Sequence, residues 1–321
     1  EAAESPAQQV LLTILKNVQL AREKSCPMCQ DTGTPLFFVQ LPGNISQNTI
    51  KRTINEAVAE ATNQNYLRPN AVHPITGVNS GNNIGDHHFP TVNFEEIEDD
   101  KVIIHLLLKG GGCENVGRQY ALPDDGLNAE RNLEGVRKVA LDAVYKAQGL
   151  GCAPGVLGVV IGGDRSSGYA ESKKVFLNGL DRKNEDKDLQ QLEDLIFEYA
   201  NQLGIGPMGF GGKTTLLGVK ISALYTLPAS YFVTVSYMCW AYRRRQMTFR
   251  DGKIREVREY LERVWKADRV PIALPSMLPG QPAPARPWSP PAAAPPRSTP
   301  PTRAQETTRG SPPTAGRWSR W

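Results

Sequence analysis

The chain has 321 residues, 40% of them hydrophobic, and a net charge of +4, enough for one large domain or two modest ones. The basic excess is local. Residues 271–321 hold six Arg, no Lys and a single acid, Glu306, while the other 270 residues set 31 basic groups against 32 acidic ones. That balance excludes a folded basic surface for nucleic acid, and with no apolar run near membrane-spanning length a soluble protein is expected.

The first residue is Glu1 rather than Met, so the true N-terminus is expected further upstream. Val10, Leu11, Ile14, Leu15 and Val18 recur at helical spacing and predict a helix over 4–21. A Cys-rich turn follows, then an apolar strand over 36–41 that ends at Pro42-Gly43. Ser46 is an N-cap for a helix running to about residue 63. Residues 68–90, rich in Asn, Gly, His and Pro, read as a long functional loop. A strand over 101–108 leads into Gly110-Gly111-Gly112, followed by a helix over 128–148, a buried strand over 156–161 and a helix over 167–177. Leu189, Leu192, Leu195, Ile196, Tyr199 and Leu203 form one helical stripe closed by Gly204. Strands are expected at 219–224 and 231–237, and a charged terminal helix at 253–266. Helices and strands intermix, so the fold class is α/β (α+β mixed), with helices packed around mixed β-sheets. Residues 269–321 are rich in Pro and Arg and are expected to be a disordered tail after a folded domain over 1–268.

Five cysteines stand at 26, 29, 113, 152 and 239, an odd number that argues against a disulfide framework and for reduced thiols in a cytoplasmic compartment. Cys26-Pro-Met-Cys29 is a Cys-x-x-Cys, but a redox motif should follow a strand and open a helix, and a zinc site wants a second pair. Gly204-Ile-Gly206-Pro-Met-Gly209 matches the dinucleotide fingerprint in letters only, because a helix rather than a strand precedes it. Cys29, Cys152 and Cys239 each sit at an element end beside small or turn-forming residues. They read either as buried small hydrophobes or as ligands of one cluster.

Seven segments decide the family reading. Cys29-Gln-Asp-Thr-Gly-Thr34, Leu67-Arg-Pro-Asn-Ala-Val72, Asn79-Ser-Gly-Asn-Asn83 and Lys109-Gly-Gly-Gly112 with Glu114-Asn115 come first. Gly151-Cys-Ala-Pro154, Leu203-Gly-Ile-Gly-Pro-Met208 through Gly211-Gly-Lys-Thr-Thr215, and Cys239-Trp-Ala-Tyr-Arg-Arg244 follow in the same order. Together they resemble the α subunit of class I, iron–sulfur fumarate hydratases, and much of the pattern is shared with the L(+)-tartrate dehydratase α subunit.

The resemblance implies an Fe–S hydro-lyase α-type catalytic domain in which Cys29, Cys152 and Cys239 hold a 4Fe–4S cluster with one iron free of protein ligands. Cys26 and Cys113 match no ligand position. Asp31 matches a position beside the substrate hydroxyl and is the expected proton donor, although it also reads as a cap of the turn at Thr32-Gly33. Gln30 and Arg68 match binders of a substrate carboxylate, and Lys109, Gly110 and Gly111 are expected to bring backbone N–H groups to the substrate. Relatives usually carry a His where this chain has Leu227, twelve residues before Cys239. The resemblance further implies a separate β subunit that supplies the base, in a heterodimer or heterotetramer acting on a small dicarboxylate. Pro207-Met208, Gly211–Thr214 and Arg68-Pro69-Asn70 lean toward fumarate, Cys113 toward tartrate. A non-enzymatic thiol-redox or iron-carrying module built on Cys26 and Cys29 is the remaining alternative.

Overall fold

A computed structural model of the chain describes residues 1–86, 88–250 and 253–259, the last segment as backbone alone. The tail expected at 269–321 lies outside the described residues.

Short polar residues start most of the helices. Ser5 accepts from the Gln8 N–H and Pro6 opens α1 (Pro6–Lys24), which stops where Ser25 turns left-handed. Ser46 caps α2 (Gln47–Asn63). A single-turn helix, α3 (Gly111–Asn115), follows the glycine run. Asn132 caps α4 (Leu133–Ala147), which starts later than expected because Asp124 already caps a separate 3-10 turn at Asp125–Leu127. Asp164 and Ser167 form a reciprocal capping box on α5 (Arg165–Lys174), and Asp186 caps α6 (Lys187–Gln202).

Nine strands form two mixed sheets among the described residues, in keeping with the α/β class expected. The first sheet contains β1 (Thr34–Leu41), β2 (Thr91–Glu96), β3 (Lys101–Lys109), β8 (Arg243–Arg250) and β9 (Lys253–Glu259), in the order β2-β1-β3-β8-β9. Only β1 and β2 run parallel there. The second contains β4 (Arg118–Ala121), β5 (Gly155–Gly162), β6 (Leu216–Leu224) and β7 (Phe232–Met238), in the order β4-β7-β5-β6, with β5 and β6 parallel. Every residue of β5 is buried, as a strand covered on both faces requires.

The helix expected at 253–266 is corrected for its first half. Lys253–Glu259 is a strand antiparallel to β8, with Arg250 opposite Lys253. Its Ile254 and Val257 lie opposite Phe249 and Met247 across a register shift, and Asp251-Gly252 just before it is, in sequence, a hairpin signal that outweighs the charge pattern. Residues 260–266 lie outside the described residues.

α4 and α6 cover the second sheet through Val136, Val139, Val144 and Ile196 against Val159, Val233 and Val235. α2 covers the first through Ile54 and Val58 against Phe37, Val39 and Val102. Between the sheets Leu36, Phe38 and Leu107 meet Val156, Phe176 and Met238. Each such side chain contributes about 1.5–3 kcal/mol by leaving water.

Strand register then sets where chemistry can occur. Val156 lies opposite Met238, so the start of β5 meets the end of β7. Lys109 lies opposite Thr34, and Leu108 opposite Arg243, so the end of β3 meets the starts of β1 and β8.

Candidate active site

Three loops at these coincident strand ends carry the cysteines. Cys29 lies between α1 and β1, in a turn held to α1 by Asn17, whose amide donates to the Met28 carbonyl at 2.6 Å. Cys152 lies between α4 and β5 with φ of 57°, an uncommon conformation for a residue with a side chain. Its N–H donates to Gly149 O, and the Trp240 N–H reaches its carbonyl at 3.4 Å. Cys239 is buried directly after β7.

The fourth thiol here belongs to Cys113 on α3, which is 3% exposed. The influence of the Cys239 thiol draws Cys113 down to about 6 against the opposing effect of burial, with the Lys109 charge assisting. Cys113, together with burial, in turn pushes Cys239 up. Burial also raises Cys152, and the charges of Cys113, Cys29 and Asp31 add to the rise. The structure therefore gathers Cys29, Cys152 and Cys239 into one neighbourhood and adds Cys113, which sequence reasoning had set aside. Among the described residues no three His, Cys, Asp or Glu close tightly enough for a single metal ion.

Asp31 is fixed at both oxygens. Oδ1 accepts the Gly33 N–H at 3.0 Å, the turn-capping role also read from sequence, and Oδ2 accepts the Gly111 N–H at 2.8 Å. The approach depends on glycine: a Cβ at Gly33, where φ is +80°, would stand 2.6 Å from the Lys109 carbonyl carbon, and one at Gly110 would stand 2.8 Å from Asp31 Oδ2. The Gly111 N–H, expected to face substrate, is thus already committed to Asp31.

Gln30 is exposed beside this turn. Arg68 is held there by its backbone, its N–H donating to Thr32 Oγ1 at 3.0 Å while its side chain remains exposed. The long loop that carries it is organised by buried Asn83, which accepts from the Asn70 and Ala71 N–H groups and donates to Arg68 O and Thr62 Oγ1.

A family-model comparison matches residues 1–248 to Fumarate hydratase (Fumerase). The chain belongs to the fumarate hydratase (fumerase) family. A Geobacillus stearothermophilus relative named "Putative fumarate hydratase class I" is 51% identical over 247 residues, 76% of this chain and 48% of the relative. The L(+)-tartrate dehydratase subunit alpha of Escherichia coli K12 is 33% identical over 235 residues, 72% of this chain and 75% of the relative. This chain spans about half the length of the Geobacillus protein.

The geometry also places Lys109 and Leu227. The Lys109 side chain is 2% exposed and turned away from the opening, donating to Tyr237 O at 2.8 Å and pairing with Glu114 at 3.1 Å. Burial lowers its affinity for the proton. It braces the glycine turn, so only the backbone here can meet a ligand. Leu227 precedes β7 whereas Cys239 follows it, which puts them at opposite ends of the strand, roughly 20 Å apart at 3.3 Å per residue. Leu227 is 73% exposed, and a side chain at this position cannot enter the thiol site of its own chain.

Two further residues were absent from the sequence reading. Arg243 donates to the Asp31 carbonyl at 2.8 Å, and Tyr237 is 2% exposed with a hydroxyl that finds no hydrogen-bond partner. Tyr237 lies within the field of Cys113, Cys239 and Cys152, and burial followed by those charges raises its pKa. Arg243 follows Cys239 by four positions, a local cue; no sequence signal marks an orphan hydroxyl.

Proposed function

We propose that this chain is the α part of a cluster-dependent hydro-lyase that interconverts fumarate and L-malate, completed by a β partner. The observation that carries the reading is the placement of Cys29, Cys152 and Cys239 with Asp31 at one shared end of both sheets. The donor set suits an iron–sulfur cluster. It consists of thiols from separate loops, and the buried Tyr237 hydroxyl is a donor left over beside it.

Cys29, Cys152 and Cys239 would hold a 4Fe–4S cluster, which when bound supplies a Lewis acid for the substrate hydroxyl through an iron without a protein thiolate. Asp31, held by two backbone N–H groups, carries the proton that leaves with water. Arg68, with Gln30 beside the same turn, binds a carboxylate of the dicarboxylate by charge-assisted hydrogen bonds. The Lys109–Gly111 backbone, with no Cβ at Gly110 or Gly111 to crowd the Asp31 carboxylate, is the proposed seat for the substrate beside Asp31. The base that takes the carbon-bound proton comes from the β partner, in a heterodimer or heterotetramer. The free state of the cysteines suits a reducing cytoplasmic compartment, and among the described residues no helix is long and apolar enough to cross a membrane.

L(+)-tartrate is the second reading, supported by the name of the Escherichia coli relative. The test is anaerobic reconstitution with iron and sulfide, addition of the β partner, and measurement of fumarate, malate and tartrate turnover. Malate formed from fumarate by the pair, and not by this chain alone, is the expected result. Turnover that persists after complete removal of iron would overturn the reading.

A further inference from the structure

The glycine-rich segment from Gly204 to Thr215 has no role in the reaction proposed above, yet its backbone is firmly pinned. The Gly211 N–H donates to Ile205 O at 2.9 Å, the Gly206 N–H to Thr215 Oγ1 at 3.1 Å, and Asn201 Oδ1 accepts the Thr215 and Leu216 N–H groups. Gly211 and Gly212 both take positive φ, 82° and 107°, in the kind of turn where successive backbone N–H groups converge. What they converge on is the carboxylate of Glu1. The Lys213 N–H donates to its two oxygens at 3.0 and 2.9 Å, and the Thr214 N–H to Oε1 at 2.8 Å.

The N-terminal end of α1 adds a second attraction for negative charge. A Cβ at Gly212 would stand 2.5 Å from Glu1 Oε2 and 2.8 Å from the Cβ of Ala7, so the carboxylate lies beside the first turn of that helix. This turn holds no acidic residue, which leaves the positive end of the helix dipole to the Glu1 carboxylate. Burial pushes the Glu1 carboxyl up, but the Lys213 and Thr214 N–H groups outweigh it and hold the carboxyl below its ordinary value. Glu1 itself is exposed, whereas the two donors belong to a turn fixed by Ile205 and Asn201. The carboxylate can therefore leave without the turn losing its shape.

We infer that the Gly211–Thr214 turn is a binding site for one small anion of the carboxylate or phosphate class, filled from within the chain by Glu1. Two converging donors suit a single anionic group, and a free phosphate or dicarboxylate competes with Glu1 for them. The donors are distinct from those at Asp31, which engage the Gly33 and Gly111 N–H groups. The same loop nevertheless adjoins the cysteine site, because the Met208 N–H donates at 2.8 Å to the carbonyl of Ala153, the residue after Cys152.

The test follows the Lys213 and Thr214 amides of the full-length chain by proton–nitrogen NMR, with inorganic phosphate and succinate added separately at an ionic strength held constant with chloride. Glu1→Ala should first move both resonances, as the internal occupant is lost. In that variant the two amides should shift saturably with phosphate, succinate or both, and the wild type should need about tenfold more anion because its tethered carboxylate competes. A response to phosphate alone would assign the site to phosphate, and one to succinate alone would assign it to a free carboxylate. Gly212→Ala combined with Glu1→Ala should abolish the response, since a Cβ at that φ strains the turn. Amides that stay still in Glu1→Ala, that respond equally in the wild type, or that move as much with chloride would each overturn the inference. No readout here involves turnover or iron, so failure of the hydro-lyase reading would leave the outcome unaffected.

Discussion

Arg243, the first residue of β8, donates a guanidinium N–H to the main-chain carbonyl of Asp31 at 2.8 Å. The contact ties the strand after Cys239 to the turn after Cys29, so two of the proposed ligand loops share one brace. A hydrogen bond from a charged donor contributes about 1.5–3 kcal/mol. Arg243→Ala should therefore lower stability by about 2 kcal/mol, with Arg243→Lys between it and wild type. Equal urea midpoints for all three proteins would show that the brace carries no load.

Serine in place of Cys29, Cys152 or Cys239 should abolish the brown colour of anaerobically reconstituted protein. Serine at Cys26 or Cys113 should preserve it. Iron and acid-labile sulfide assays decide the outcome, and a colourless Cys26→Ser protein would displace the ligand assignment toward the first cysteine of the pair.

Asp31→Asn keeps one of the two acceptor oxygens and removes the transferable proton. In the reconstituted complex it should lower kcat on the order of a hundredfold with little change in KM. Arg68→Ala should do the reverse, raising KM through loss of a charge-assisted contact. Steady-state kinetics on malate separate the two, and a KM effect in Asp31→Asn with unchanged kcat would exchange their roles.

Glu114 pairs with Lys109 at 3.1 Å and Lys173 at 2.7 Å. Burial pushes its carboxyl up, but the two lysines outweigh that effect and hold it below its ordinary value. A carboxylate with a depressed folded pKa adds stability above its unfolded pKa, and the gain is lost as pH falls through the folded value. Wild type should thus exceed Glu114→Gln in urea resistance at about pH 6, with the gap closing toward about pH 3. A gap constant across that range would rule out the charge as its source.

Tyr237→Phe removes only the unpartnered hydroxyl. Deleting a buried donor with no acceptor should leave the cluster-free chain as stable as wild type or slightly more so. If the hydroxyl finds its acceptor on the cluster or a ligating sulfur, the same variant should lose iron faster in air and shift the cluster's reduction potential. Identical iron-loss rates and potentials would leave the hydroxyl without a function.

Much of the frame was legible because local signals agreed: Ser46 before an amphipathic run, the unbroken apolar Val156–Ile161 segment and the helical stripe ending at Gly204 each behave as their residues dictate. The errors arose where tertiary pairing overrides composition. Lys253–Glu259 was expected to be helical, yet it pairs with Arg243–Arg250, itself an interior strand of its sheet, with Arg244 3% exposed and stacked over Tyr242 at 4.2 Å. At the site, Cys29, Cys152 and Cys239 were visible as residues at element ends. The meeting of the ends of β3 and β7 was not, because it joins Lys109 to Tyr237 across 128 positions. The buried course of Lys109 was equally hidden, since a lysine beside three glycines looks available for binding until Tyr237 and Glu114 claim it.

The thiol-bearing loops leave from both sheets, Cys29 entering β1 of the first and Cys152 and Cys239 flanking β5 and β7 of the second. Any metal group they share is therefore a rivet across a seam, and it stays in place only while Leu36, Phe38 and Leu107 remain seated on Val156, Phe176 and Met238. Slow bleaching of the protein in mild denaturant would then time the parting of the two sheets, well before the secondary structure of either one melts.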